Sequence, residues 1–85
     1  MTNKELNERI TAAHFALEDI DAKIIQTKDD MSATYKSVQD FSRADAVKTD
    51  RAIEKLISLK SELFKLGQKR NTQLKRIEML TLQVK

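Results

Sequence analysis

Alternate steps of four and three residues from Leu6 land on Leu6, Ile10, Ala13, Leu17, Ile20, Ile24, Thr27, Met31, Thr34, Val38 and Phe41 without a break. A stripe that keeps a 3.5-residue period for this long marks a helix lying along another helix, because a seven-residue repeat is what stays in phase with a helical neighbour. The same step from Ala52 gives Ala52, Leu56, Leu59, Leu63, Leu66, Arg70, Gln73, Ile77, Leu80 and Val84. The fold class this predicts is all-α: an antiparallel helical hairpin or coiled coil forming one domain over residues 1–85.

The two seams are out of phase. Lettering each heptad a to g with a and d in the seam, the a positions leave remainder 3 on division by seven in the first stripe and remainder 0 in the second, so the phase slips between Phe41 and Ala52. The slip coincides with the polar stretch from Asp40 to Asp50, where Ser42 precedes Asp45 by three and Thr49 and Asp50 are further candidate N-caps. The expected layout is a helix over about 3–42, a turn over about 43–49 and a helix over about 50–84. At the front, Thr2 followed by Glu5 has the form of a capping box. Thr27 ahead of Asp29-Asp30 offers a second capping signal, but the apolar step runs on through Met31 and favours an unbroken helix.

Two arrangements fit the slip: a hairpin, or one continuous helix with a stutter that pairs antiparallel with a second copy. Glycine and proline punctuate turns, and the chain has one glycine, Gly67, and no proline. That scarcity speaks for the continuous helix, while the dense cap signals speak more strongly for the hairpin. Charge supports an antiparallel pairing in either case. Residues 1–42 carry net −3 and residues 43–85 carry net +6, so the two rods attract. With the reversal near residue 46, residue i faces roughly residue 92 − i, which sets Arg70 beside Asp19 and Asp21 as an interhelix ion pair. A parallel in-register dimer would set Arg70 against itself in a partly dry seam.

A two-helix seam needs one narrow stripe per helix, yet the apolar residues spill beyond it. Ile53, Ile57, Phe64 and Leu74 occupy e and b positions of the second helix, and Phe15, Ala22 and Ile25 lie outside the seam of the first. Single exposed apolar residues are ordinary. Here Ile57 and Phe64 are one heptad apart and continue the flank of Ile53, which marks an interface with Ile53, Ile57, Phe64, Leu74, Phe15 and Ile25 as anchors. Each large side chain buried there contributes about 1.5–3 kcal/mol, so a dimer resembling a four-helix bundle is expected. Gly67 is on the same flank, as a site of close helix approach, a hinge, or neither.

Catalytic chemistry has little to stand on. His14 is the sole histidine and there is no cysteine, so a site of three or four converging metal ligands is hard to assemble, and pairing of His14 with Glu18 across one turn is the plainer reading. Glu18, Asp19 and Asp21 lack a desolvated pocket to act in. Neither a glycine-rich phosphate loop nor a Ser/His/Asp set is evident. No cofactor and no enzymatic activity are expected. The absence of cysteine also removes any disulfide framework, and no segment has a signal-peptide core or a run of about 20 apolar residues, so a cytoplasmic location without a membrane span is expected.

The segment from 60 to 76 carries Lys60, Lys65, Lys69, Arg70, Lys75 and Arg76 against Glu62 alone. A basic helix of this kind can contact nucleic acid through Lys60, Lys65, Lys69, Lys75 and Arg76, or lie on an anionic membrane. These charges are spread around the helix, Phe64 is the sole aromatic among them, and the chain is only +3. Solvated flanks matched to an acidic neighbour explain them as well. The function expected is therefore protein–protein interaction, with itself as a homodimer and with another protein, by an adaptor, assembly factor or inhibitor of a bacterial or phage kind. A nucleic-acid-binding helical protein and a self-assembling structural coiled coil are the alternatives.

Overall fold

The computed structural model describes residues 1–41 and 45–85, with Phe41 described in its backbone alone. Helix α1 spans Asn3–Phe41 and helix α2 spans Ala46–Gln83, and α2 returns antiparallel along α1 as a helical hairpin. The hairpin reading of the phase slip is therefore the correct one. α1 passes Asp29 and Asp30 without a break. There Gln26 donates from Nε2 to the Asp30 carboxylate at 3.1 Å, so the Asp30 side chain serves the helix surface rather than a cap.

At the N-terminus the Glu5 amide donates to the Thr2 hydroxyl at 3.2 Å, the threonine half of a capping box. The start of α2 differs from expectation. Its N-cap is Asp45 in an extended conformation (φ −154, ψ 103), and the carboxylate accepts from the amides of Val47 and Lys48, each at 3.1 Å. Thr49, offered by the sequence as a cap, instead sits inside the helix and donates from its hydroxyl to the Asp45 carbonyl at 2.8 Å. The helix gains a turn at its front, because a carboxylate that accepts two orphan amides is a stronger cap than a threonine. The seam is extended too, since stepping back from Ala52 reaches the half-buried Thr49 and Asp45. The candidate cap at Ser42, the seam position of the Phe41 side chain and the span 42–44 of the expected turn lie outside the described residues. Asp45→Ala is expected to cost about 1 kcal/mol, read as a lower urea midpoint at unchanged slope.

Every other residue of both seams is buried or half-buried. Leu6, Ala13, Leu66 and Leu80 form the most buried apolar set, joined by Thr27 and Thr34, whose hydroxyls donate to the carbonyls of Lys23 and Asp30 at 2.7 Å. At the open end the Asn3 amide ties the termini together: Nδ2 donates to the Lys85 carbonyl at 3.0 Å, and Oδ1 accepts from the Lys85 amide at 3.4 Å. The register is anchored midway by Arg70, whose Nε donates to Asp21 Oδ1 at 2.7 Å. Residue i of α1 therefore lies level with about residue 90 − i of α2.

The molecule is a rod of 63 × 14 × 12 Å. Its radius of gyration is 19.0 Å, against about 12 Å for a globular chain of this length. One layer of contact per helix is all that such a shape provides. Among the described residues no side chain is wholly buried.

Candidate interaction surface

With 3.6 residues per turn, positions e and b flank the a edge of a seam, while g and c flank the d edge. Antiparallel pairing puts the e/b flanks of the two helices on one side of the hairpin and the g/c flanks on the other. The surface grooves follow this division. Met31, Ser32, Tyr35, Leu56 and Lys60, from a, b and e positions, line a shallow groove on one side. Ala13, Ala16, Gln73 and Arg76 line another on the opposite side, as do Thr34, Ser37, Ala52 and Lys55 farther along, all from d and g positions.

Five of the six proposed anchors share the e/b side. Ile53 and Leu74 are at e, and Ile25, Ile57 and Phe64 are at b, with Ile25 level with Phe64 across the two helices. Phe64 is 68% exposed, and Ile57 and Ile25 are each 62% exposed. Phe15 stands apart from them. It is exposed at an f position on the back of α1, directed away from α2 rather than into this side. Tyr35, an e residue on the exposed side of α1, belongs to the set too, outside the anchors that the α2 flank marks in the sequence. Lettering the flank of α1 as well as that of α2 is the signal that finds it, since Tyr35 lies level with the interval between Ile53 and Ile57.

The g/c side is mainly charged, with Met79 at c as its exposed large apolar residue among those described. It carries Lys65, Lys69 and Arg76 together with Arg51 and Lys55, interleaved with Asp19, Asp30 and Glu62. The basic segment is thus divided by the fold: Lys60 joins the apolar side, Lys75 points outward from f, and three of its cations share the polar side. Asp19, expected beside Arg70 along with Asp21, lies on that polar side, and Asp21 is the carboxylate that meets Arg70. Both side chains of this pair keep about two-fifths of their surface in water (41% and 43%). The bridge therefore acts on register more than on stability.

His14 is exposed at an e position. Among the described residues no three His, Asp or Glu side chains gather closely enough to hold a metal ion, and no helix is long and apolar enough to cross a membrane. Comparison with protein-family models, curated proteins and solved structures gives no match for this chain.

Proposed function

We propose that this chain is a non-enzymatic protein that acts by helix-to-helix contact, an adaptor, assembly factor or inhibitor that self-associates and engages a partner protein. The observation that carries the reading is the gathering of Ile25, Tyr35, Ile53, Ile57, Phe64 and Leu74 on one side of a rod whose other side is charged. Of the other large apolar residues exposed on the described helices, Phe15, Val47 and Leu82 are at f positions on the backs of the helices and Met79 is at c on the charged side, so the e/b side holds six against one. The exposed area is large: 6641 Å² is roughly 1,500 Å² more than a globular monomer of this mass shows. That excess follows from the rod shape and leaves the e/b side open to a neighbour, where each anchor buried contributes about 1.5–3 kcal/mol.

The test is the solution mass of the parent and of Ile57→Asp/Phe64→Asp. Both side chains face solvent within the hairpin, so the variant is expected to keep its far-ultraviolet circular dichroism while its mass falls to that of the 9.8 kDa monomer. An unchanged oligomeric mass would remove this surface from the function. A parent mass that grows steadily with concentration would favour a self-assembling structural rod instead.

Contact with nucleic acid through the polar side is the second reading, favoured by the alignment there of Arg51, Lys55, Lys65, Lys69 and Arg76. The interleaved acids weaken it. Phosphate binding must weaken steeply with salt, whereas apolar helix contact persists, so a salt series on any complex separates the two.

A further inference from the structure

Resting on the reading that the e/b side is a self-association surface, we propose how the second copy sits there. It stacks face to face and antiparallel, α1 on α1 and α2 on α2, about a two-fold axis passing between Phe64 and Gly67. Phe64 of each chain then fills the notch at Gly67 of the other.

Gly67 is the first observation. A glycine inside a helix costs about 1 kcal/mol relative to alanine, and it needs a local reason such as crowding. The hairpin supplies none, for a Cβ built at Gly67 meets nothing within 4 Å, and its φ is not positive. The bare backbone lies on the apolar side, one turn from the most exposed of the anchors, Phe64. A ring and a gap three residues apart on one flank are self-complementary under a two-fold axis, since each ring meets the other chain's gap.

The same axis brings further flank residues together, although it sets Ile53 opposite Glu78 of the second copy. On α2 it sets Ile57 opposite Leu74 of the second copy, an e position against a b position as for Phe64 and Gly67. On α1 it sets Lys28 opposite Asp21 of the second copy and brings Ile25 close to its own counterpart. The competing two-fold stack, with its axis along the rod and α1 over α2, leaves every residue facing its own level. Lys28 and Lys60 are nearly level with one another, so that stack would press four lysines into one layer. Charge selects the antiparallel stack. The area is sufficient as well, because a stable dimer of standard size covers about 800 Å² per chain, within the excess this rod exposes.

The chain has no cysteine, which permits a direct test by disulfide formation. Ile57→Cys and Leu74→Cys chains, mixed and oxidised, are expected to give at least ten-fold more covalent dimer than either variant alone. Gly67→Ala, which adds helix propensity and meets no atom in its own chain, is expected to weaken the dimer about ten-fold by sedimentation. A dimer in which Ile57→Cys links to itself as readily as to Leu74→Cys, or which Gly67→Ala leaves equally tight, overturns this stacking and spares self-association. A parent that stays monomeric at all concentrations overturns both.

Discussion

Leu66→Ala is expected to lower the stability of the hairpin by about 2–5 kcal/mol. Leu66 is 5% exposed at a d position near the middle of α2, level with Ile24 of α1. A domain of this size has roughly 4–13 kcal/mol in all, and a core one layer deep places the hairpin toward the lower end. Its neighbours have no second layer from which to close the gap, so the cost should not relax away. Leu82→Ala is the matched control, because Leu82 is 80% exposed and truncation there should stay within about 0.5 kcal/mol. Urea unfolding followed by circular dichroism reads both. Similar midpoints for the two variants would mean that the seam does not hold the helices together.

The seam was the legible part of this protein, and the reason is geometric. A period of 3.5 residues is written directly in residue identity, so it sets Leu6 through Val38 against Ala52 through Val84 from sequence alone, polar members included. The pairing of Arg70 with an acid followed from the same arithmetic, and the register it implies agrees with the observed one to within about two residues. The cap of α2 was harder to read. Asp45, Thr49 and Asp50 all carry capping oxygens, and which of them caps depends on where the chain reverses, which local preference does not set. The Asn3–Lys85 clamp joins residues 82 apart in sequence and has no periodic signature. Membership of the proposed interaction surface lies between these extremes. The flank of α2 is visible from e and b positions alone, but the separation of Phe15 from that side and the inclusion of Tyr35 require the two helices to be laid in register.

Thr27→Val/Thr34→Val is expected to raise stability by about 2 kcal/mol, the second largest effect and of opposite sign. Both threonines are d residues of the α1 seam, 4% and 5% exposed, in layers with Leu63 and Leu56 of α2. Their hydroxyls are not orphaned, since each donates to the carbonyl four residues back at 2.7 Å. That carbonyl already accepts a helical amide, so the added bond gains little and tends to bend the helix. Valine has nearly the same shape and similar helix propensity, and it replaces a desolvated hydroxyl with a methyl group facing leucine, for about 1 kcal/mol at each site. Sites two turns apart with separate partners should add. The cost of an all-apolar seam is weaker discrimination against slipped pairings, a service that polar seam residues perform in coiled coils. In this hairpin the Arg70–Asp21 bridge and the Asn3–Lys85 clamp hold the register independently of the threonines. The stability gain should therefore come with an unchanged urea slope, and a double variant less stable than the parent would show that the two hydroxyls contribute more to the seam than burial does.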